Sequence, residues 1–449
     1  LTTGIVVAGT ILFFFGLSGF LLKALQGARS LYWHGLNMFT VRQLSAKVNT
    51  VSFSMAIISM ILFLAITSVT GGMSIASVMN TSVERSTIAD YSRVVMYLGE
   101  NVVNDPTYTG DVPRRLATEP VDIMELSRSN VIDKGTSEER PFDLAGILGG
   151  HVQVETYDSR PIGTELPLVS LNDLAAAVDM PMPKGTNSSN ASMMGLMVMK
   201  ESDYNRYLDF RGKEHVDLGD DGYLITSDMG ESVNKIYNAD MREGVEVELG
   251  GRTLRPIADH VDEAASSFFN SSMGSNSGTI VVPDELVDAS GLPLYASYFL
   301  GDYREGLTYD ETEGYVRQDR SWDQILNADG SESAIWGLEA TRAQSYESMN
   351  SMNGLISYLA IYIGFVLVVA CAAILTIQQL SGVADSGKNC RILSELGTSN
   401  REIMRSVLVQ QAIFFVFPLL MGVAHSFVAL QVVIEIVALF GHMSIGGTV

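Results

Sequence analysis

The sequence predicts a membrane protein, with an α-helical transmembrane bundle of four spans and a large extracellular α+β domain inserted on helical stalks. Four apolar segments of 22 to 30 residues are long enough to cross a hydrocarbon core of about 30 Å at about 1.5 Å per residue. The 51 Asp and Glu residues avoid these segments, and none precedes Glu84. Most of them lie in one central block, so this block is predicted to be water-exposed.

The predicted boundaries follow the changes in hydropathy along the chain. The apolar tail after the fourth span carries one carboxylate and is predicted to lie at the membrane surface. The predicted segments are a span at 1–22, a cytoplasmic loop at 23–50, a span at 51–79, the extracellular domain with its stalk helices at 80–350, a span at 351–380, a cytoplasmic coupling elbow at 381–406, a span at 407–430 and an outer interfacial segment at 431–449.

Charge in the connections orients the spans. Segments 23–50 and 381–406 each carry four Lys or Arg residues, which is typical of cytoplasmic connections. Residues 81–350 hold 21 Lys and Arg against 47 Asp and Glu, a net charge of −26, and are expected on the opposite side. This acidity would attract a cationic partner or serve solubility alone, and the composition leaves both open. No nucleic-acid partner is predicted.

The positions of the cysteines and the two chain ends lead to two further predictions. Cys371 lies in the third predicted span and Cys390 in the following loop, so the acidic block has no disulfide and needs an ordinary hydrophobic core. The chain opens at Leu1 within an apolar run, without an initiator Met, and ends without a basic tail. We expect a piece of a longer membrane protein rather than a cleaved signal peptide.

Mixed periodicities in the acidic block predict its α+β architecture. The alternating run 245–249 meets Gly250-Gly251, which indicates a β-hairpin. Strand-then-helix units are predicted at 196–208, with Ser202 as the helix cap, and at 279–286, where a proline suits the first helical turn.

Stalks and loops border these elements. Residues 73–85 continue the second span and residues 333–353 lead into the third, and both are predicted as helical stalks. Stretches 181–190 and 270–278 are rich in turn-forming residues and are predicted as loops with little to bury. Just before the second loop stand Phe268 and Phe269, candidates for contact with lipid or an amphipathic ligand; core packing is the more common role of such a pair.

Signatures of catalysis and metal binding are absent from the sequence. It has no Gly-x-x-x-x-Gly-Lys-Ser/Thr loop for nucleotide phosphates, no Gly-x-Ser-x-Gly turn and no His-Glu-x-x-His helix. His151, His215 and His260 are scattered without metal-ligand spacing. We therefore predict no enzymatic activity, no metal and no cofactor, and any ATP would be hydrolysed by another subunit.

The predicted elbow has well-defined local signals. Gly397 should end one short helix, and Ser399 with Glu402 three residues later forms a capping-box pattern that should begin another. Such a structure between two spans is suited to transmit a movement of a cytoplasmic partner to the spans. A loop that merely joins two spans is the alternative.

His425 is the main ionisable residue predicted inside a span. Polar side chains within membranes commonly form hydrogen bonds between helices, and some have roles in proton transfer or ligand binding. We favour the structural hydrogen bond and keep the proton or ligand role as the alternative.

The elbow contains the pattern Arg391-x-Leu393-x-x-Leu396-Gly397-Thr398-Ser399-x-Arg401-Glu402-Ile403. Together with the segments 37–44, 200–205, 358–365, 378–381 and 415–426, this pattern resembles FtsX-like ABC transporter permeases, a family in which the elbow region contacts the ATPase subunit. The resemblance is closest to the bacitracin-export type, and the chain resembles the C-terminal half of such a permease.

This resemblance implies a permease subunit that couples ATP hydrolysis by a separate subunit to movement of the extracellular domain, in antimicrobial-peptide resistance or sensing. The implied location is the bacterial cytoplasmic membrane, with multiple passes. The implied partners are an ABC ATPase subunit, a membrane histidine kinase, membrane lipid, and a peptide antibiotic or lipid-linked cell-wall precursor. The implied ATPase-coupling residues are Arg42, Arg391, Leu396, Gly397, Thr398, Ser399, Arg401 and Glu402.

Two alternatives within the resembled family remain open. One is a non-transporting FtsX-like scaffold whose outer domain activates a cell-wall hydrolase, and the other is lipoprotein release. An outer block of about 270 residues favours the transporter over the scaffold, since division-type members have much smaller outer domains.

Overall fold

The computed structural model describes residues 2–27, 32–33, 35–132, 137, 139–183, 195–262, 265–271, 275–318 and 325–437. The chain divides into two compact units. Leu1–Ala76 and Gly354–Ile434 form a helical unit, and Ser77–Asn353 form most of a unit that contains the β-sheet.

Helices and strands are interspersed along the chain in the sheet-containing unit. The helices are α1 (Thr2–Gly27), α2 (Asn37–Ser86), α3 (Glu100–Val103), α4 (Ile123–Ser129), α5 (Leu171–Ala177), α6 (Glu201–Phe210), α7 (Glu231–Glu243), α8 (Asp284–Ser290), α9 (Glu313–Val316), α10 (Arg342–Glu395) and α11 (Asn400–Val437). The strands are β1 (Tyr91–Tyr97), β2 (Val131–Ile132), β3 (Arg140–Pro141), β4 (Leu148–Asp158), β5 (Met197–Lys200), β6 (Gly222–Thr226), β7 (Val247–Leu249), β8 (Arg252–Pro256), β9 (Thr279–Val282), β10 (Leu294–Tyr303) and β11 (Ala334–Thr341).

Three helices contain segments long and apolar enough to cross a membrane. They are Ser52–Ser77 within α2, Arg342–Gly382 within α10 and Asn400–Val433 within α11, and they agree with three of the predicted spans. Helix α1 covers the first predicted span, but its apolar stretch among the described residues, Gly4–Gly16, is shorter than a membrane crossing. The fourth span therefore stays a prediction.

Helix α2 lies at the centre of the helical unit. A Cβ atom added at Gly72 would lie 2.3 Å from Cβ of Ala360, and one at Gly364 would lie 2.3 Å from a methyl group of Val69. Only glycine allows α2 and α10 to approach this closely, as is common between membrane helices. The hydroxyl of Ser68 also donates to the Ala360 carbonyl at 3.3 Å, which satisfies this donor within the apolar bundle.

The main sheet has nine strands in the order β11-β1-β10-β4-β5-β9-β6-β8-β7. The pairs β5/β9 and β6/β8 are parallel, and the other neighbours are antiparallel. A separate ribbon pairs β2 with β3. This mixed sheet with interspersed helices agrees with the predicted α+β domain.

Apolar side chains cover both faces of the sheet. On one face, Val154 and Leu300 pack with Tyr204, Tyr207 and Phe268. The opposite face carries two separate clusters, one beneath α5 and α7 and one beneath α4 and α9. Tyrosine hydroxyls inside these clusters are hydrogen-bonded, as buried polar groups require; Tyr207, for example, donates to the Ser267 carbonyl at 2.8 Å.

Several predicted local elements are confirmed. β7 and β8 form the hairpin, and Gly250 and Gly251 have φ angles of 59° and 78°, the positive values that a type I′ turn requires. β5 is followed directly by α6, and β9 is followed by α8, whose N-cap is Pro283. The helical continuation of the second predicted span through 73–85 is also present, since α2 ends at Ser86.

Two predictions in the sheet-containing unit are wrong. The stretch 333–353 is not helical throughout, because Ala334–Thr341 forms β11 and pairs with β1. The helix begins at Arg342, where the Gln344 amide donates to the Thr341 hydroxyl at 3.1 Å and the Thr341 amide donates to the Gln344 side chain at 3.3 Å. Ser202 does not cap α6; the N-cap is Lys200, and the Ser202 amide donates to the Asp284 carboxylate at 3.0 Å.

The predicted loop 270–278 has more buried contacts than its composition suggests. Asn270 and Asn276 are buried. The Asn270 side chain accepts hydrogen bonds from the amides of Ile88 at 3.0 Å and Ala89 at 3.3 Å, and it donates to the Ala89 carbonyl at 2.8 Å. The other predicted loop, 181–190, lies outside the described residues from position 184 onwards.

Candidate functional site

The elbow between α10 and α11 ends the first helix in a Schellman motif. Gly397 has a φ of +90°, a left-handed value that side chains other than glycine rarely adopt. Its amide donates to the Ser394 carbonyl at 3.1 Å, and the Thr398 amide donates to the Leu393 carbonyl at 3.1 Å. These two bonds satisfy carbonyls that the end of a helix otherwise leaves open.

The second helix begins in the predicted capping box. The Glu402 amide donates to the Ser399 hydroxyl at 3.3 Å, the Ser399 amide donates to the Glu402 carboxylate at 3.3 Å, and the Ser399 hydroxyl donates to the same carboxylate at 2.9 Å. The helices that meet here are long rather than short, since α10 has 54 residues and α11 has 38. The four residues between the two helices, 396–399, therefore set the angle at which α10 and α11 meet.

A buried hydrogen bond joins the elbow to the start of α2. The hydroxyls of Thr40 and Ser406 are 2.7 Å apart, and both side chains are buried. The Ser406 hydroxyl also accepts from the Gln410 side chain at 3.4 Å. The two segments that the charge pattern predicts as cytoplasmic are thus in contact in the helical unit, and Arg42 is exposed two residues beyond Thr40.

Apolar side chains and arginines are exposed together at the elbow. Leu396, Ile392 and Met404 are 76%, 54% and 61% exposed. Arg391 and Arg401 are exposed on the same two helix ends, and the 3.1 Å ion pair of Arg391 with Glu395 is largely solvated and contributes little to stability. We call Arg391, Ile392, Leu396, Arg401 and Met404 the elbow surface. Its composition, apolar residues with charged neighbours, resembles the centre and rim of a protein interface.

The structure brings the predicted coupling residues together at one end of the helical unit. The sequence patterns identified the glycine, the cap and the arginines, but they missed Ile392 and Met404. The available signal was the helical spacing of Ile392 from Leu396, four residues apart, and of Met404 from Arg401, three residues apart, which places each pair on one helix face once the helix ends are known.

The aromatic pair predicted as a ligand contact divides between core and surface. Phe268 is 1% exposed, and its ring packs against Tyr207 and Tyr298 at centroid distances of 5.1 Å and 5.8 Å. It is a core residue and offers no surface to a ligand. Phe269 is partly exposed, and its carbonyl accepts a hydrogen bond from the Ser267 hydroxyl at 3.2 Å.

His425 packs edge-on against Phe63 at a centroid distance of 6.0 Å. The hydrogen bond between helices at this level is made by its neighbour, because the Ser426 hydroxyl lies 3.3 Å from the Phe63 carbonyl and 2.8 Å from the Gly422 carbonyl. Within the described part of the chain, no hydrogen bond of the His425 side chain is found. Over the same residues, no group of three or more His, Cys, Asp and Glu side chains is placed to hold a metal ion.

Comparison with known proteins finds a partial similarity to a permease. The chain is 30% identical over 92 residues to the ABC transporter permease protein YxdM of Bacillus subtilis (strain 168). The similar stretch covers 20% of this chain and 15% of the relative, so the chain spans well under two thirds of that protein's length. No protein-family model matches the chain.

Proposed function

We propose that this chain is a permease subunit of an ABC transporter, of the FtsX-like bacitracin-export type. A separate subunit hydrolyses ATP, and the chain itself has no ATPase activity. The elbow receives the movement of that subunit, and the sheet-containing unit, on the outer side of a bacterial cytoplasmic membrane, responds to an antimicrobial peptide or a lipid-linked cell-wall precursor. The similarity to a permease supports the general role.

The observation that carries the proposal is the construction of the elbow surface. Leu396 is 76% exposed, lies between Arg391 and Arg401 in the chain and follows the largely polar stretch 381–391, so it offers apolar area that a partner protein could cover. A buried apolar anchor surrounded by charged residues is typical of the centre of protein interfaces. The Schellman motif and the capping box fix both helix ends, so that force applied to this surface would move α10 and α11 rather than distort a loop.

Helix length supports transmission of this movement. With 54 residues, α10 is about 80 Å long at about 1.5 Å per residue. It follows β11 directly in the chain and ends at the elbow. The proposed movement would run along this helix.

The four-span topology and the outer placement of the acidic unit belong to the same proposal. Both follow from the basic connections at 23–50 and 381–406 and from the net charge of −26 in residues 81–350. An acidic outer domain raises the encounter rate with cationic peptides. A membrane histidine kinase that reads the same movement would make the assembly a sensor.

Co-purification with the ATPase subunit tests the proposal. We expect Leu396→Glu to reduce the recovered ATPase by about tenfold or more, because a buried unpaired carboxylate replaces an apolar anchor. Asn389→Glu places the same charge on an exposed position of α10 outside the elbow surface and should leave recovery unchanged. If the wild-type chain and Leu396→Glu recovered the same amount of ATPase subunit, the elbow would not be part of the interface with that subunit. ATPase binding without any effect of the complex on peptide resistance would favour the cell-wall scaffold.

A further inference from the structure

A loop with exposed apolar side chains joins β4 to α5 in the sheet-containing unit. We call residues 160–168 the apolar loop. Its side chains Ile162, Leu166 and Leu168 are 57%, 66% and 41% exposed. Single exposed hydrophobic residues are normal on a protein surface. Three on one short loop concentrate apolar surface in a way that commonly marks an interaction site.

Hydrogen bonds fix the tip of the apolar loop. The Thr164 amide donates to the Pro161 carbonyl at 3.0 Å, which closes a turn. Gly163 has a φ of +85°, the positive value that the third position of a type II turn requires. Its amide donates to the Glu100 carboxylate at 2.7 Å, so the turn is tied to the first residue of α3. The Ile162 side chain is therefore exposed on a defined backbone.

The base of the apolar loop is closed as well. The Leu168 amide donates to the Ser159 carbonyl at 2.9 Å. A Cβ atom added at Gly195 would lie 2.5 Å from the Pro167 side chain and 2.6 Å from the Ser159 hydroxyl, so only glycine allows this close approach. A partner would meet a preformed surface, which reduces the entropy lost on binding.

The apolar loop lies at the end of the sheet remote from α2 and α10. β1 begins at Tyr91, just after α2, and pairs there with Thr341, just before α10. The chain direction reverses from β1 to β10 and again from β10 to β4, so β4 ends at Asp158 on the far side of the sheet. His151 is level with Tyr91, and the seven residues from there to Asp158 span about 23 Å at about 3.3 Å per residue. This placement favours a partner in the aqueous phase over the bilayer that α2 and α10 enter in the proposed function.

The charge around the apolar loop is negative. The Arg160 guanidinium is paired with the Asp158 carboxylate, with N–O distances of 2.7 Å and 2.9 Å. Glu165 is exposed and has no cationic partner among the residues that the structure describes. Glu100 adds a second carboxylate beside the turn. Together with the net charge of −26 in residues 81–350, these carboxylates favour a partner that carries positive charge.

We propose that the apolar loop docks an amphipathic basic peptide, whose apolar side chains cover Ile162, Leu166 and Leu168 and whose Lys or Arg side chains lie beside Glu165. This inference rests on the proposed function, in which a peptide is one of the ligands of the sheet-containing unit, and it names the surface and the chemistry of that peptide. Burial of the apolar side chains supplies affinity, and the carboxylates speed the encounter and set the preference for basic peptides.

Fluorescence anisotropy tests the chemistry of the ligand, with the full chain in phosphatidylcholine nanodiscs and empty nanodiscs as the blank. The probe is the fluorescein-labelled peptide Lys-Leu-Leu-Lys-Leu-Leu-Lys. One comparison peptide carries Ser in place of every Leu, and the other carries Glu in place of every Lys. We expect both to bind about tenfold or more weakly than the probe. Equal binding of either comparison peptide, or probe binding no greater than to empty nanodiscs, would overturn the proposal.

Variants of the chain test the location of the site. The double variant Ile162→Asn, Leu166→Asn should weaken probe binding by about tenfold or more, because it removes apolar area that the peptide would cover. Ile257→Asn makes the same kind of change just after β8, at a side chain that is 48% exposed, and should bind the probe like wild type. Equal affinities of the double variant and this control would overturn the site.

Two further outcomes separate the alternatives. Light scattering of the nanodisc-free, detergent-solubilised chain would reveal a second copy as the occupant. A dimer that the double variant abolishes, in a chain that does not bind the probe, would overturn the peptide assignment. A chain that recovers the ATPase subunit but does not bind the probe fails only this inference, and a chain that binds the probe but recovers no ATPase subunit fails only the proposed function.

Discussion

The hydroxyl of Thr40 lies 2.7 Å from the hydroxyl of Ser406, and both side chains are buried. This contact connects two helix starts that are 366 residues apart in the sequence. It holds the beginning of α2 against the beginning of α11, one turn beyond the capping box of the elbow. A movement imposed on the elbow would therefore reach the central helix of the bundle directly as well as through α10.

This hydrogen bond should be measurable as an energetic coupling. We expect Thr40→Val and Ser406→Ala each to lower the free energy of unfolding by about 0.5–1.5 kcal/mol, because each removes this buried hydrogen bond. The remaining hydroxyl keeps a second partner, the Gln410 side chain for Ser406 and the Leu36 carbonyl for Thr40. The double variant should lose less stability than the sum of the two single losses, by about 1 kcal/mol, as is usual for residues in contact. Thermal unfolding of the detergent-solubilised chain measures all three, and strictly additive effects would contradict the coupling.

The left-handed conformation of Gly397 predicts a selective defect. Gly397→Val forces a β-branched residue to a φ of +90°, at a cost of about 1–3 kcal/mol, which the elbow would relieve by changing the angle between α10 and α11. We expect loss of ATPase co-purification while membrane insertion remains intact. The control is Gly387→Val, in the interior of α10, where an added Cβ meets no atom within 4 Å. If both variants kept the ATPase, the fixed helix ends would have no part in coupling.

Buried carboxyl groups predict that the sheet-containing unit is more stable at mildly acidic pH. Burial raises the pKa of Asp203 to about 7 and those of Asp228 and Asp240 to about 6, above the value of about 4 in an unfolded chain. The folded state therefore binds more protons than the unfolded state between about pH 4 and pH 7, so the free energy of unfolding falls as pH rises through this window. Hydrogen exchange of β6 and β9, corrected for intrinsic rates, should show less protection at pH 8 than at pH 5.

A single substitution isolates one of these groups. Asp240 accepts a hydrogen bond from the Tyr223 hydroxyl at 2.9 Å, and its second carboxylate oxygen is buried without a partner among the described residues. Asp240→Asn keeps the acceptor and removes the buried charge, so it should stabilise the chain at pH 8 by about 1–3 kcal/mol and by less at pH 5. Asp111→Asn, at an exposed position, is the control. The same stabilisation at both pH values would exclude titration of Asp240 as the cause.

Asn270 predicts a large loss of stability from a single polar side chain. It fixes the backbone of Ile88 and Ala89 directly after α2, and it also donates to the Ala340 carbonyl at 3.2 Å, just before α10. Asn270→Ala would leave the amides of Ile88 and Ala89 and the Ala89 carbonyl without these bonds, at a cost of about 2–4 kcal/mol, whereas the Ala340 carbonyl keeps its bond from the Ser92 hydroxyl. Asn101→Ala, at an exposed position in α3, should have no measurable effect. Comparable unfolding temperatures for the two variants would contradict this role.

Features fixed by neighbouring residues were predictable from the sequence. Three features all depend on contacts within five residues: the Schellman motif at Gly397 that follows α10, the capping box of Ser399 and Glu402, and the hairpin turn at Gly250-Gly251. Each has a residue type that the backbone geometry demands. The apolar segments of α2, α10 and α11 were predictable for a different reason, since their length alone indicates a membrane.

Features set by distant partners were not predictable. Residues 334–341 were predicted as helix, but they form a strand because β1, more than 230 positions earlier, supplies the pairing edge. Phe268 is buried because Tyr207 and Tyr298 converge on it from separate elements. Asn270, in the Ser- and Asn-containing stretch predicted as a loop, is buried because four remote backbone groups satisfy its side chain, the Ile88 and Ala89 amides and the Ala89 and Ala340 carbonyls. Nothing in the local composition reveals these partners.

The central claim of the proposed function is that the elbow and the sheet-containing unit lie on opposite sides of a membrane. Thiol labelling on intact cells tests this claim most directly. Cys390 is a natural reporter in the elbow segment, and Glu214→Cys in a Cys371→Ala background adds one at an exposed position of the sheet-containing unit. We predict that a membrane-impermeant maleimide labels position 214 in intact cells and reaches Cys390 only after permeabilisation. Labelling of both positions in intact cells, or of neither before permeabilisation, would contradict the account.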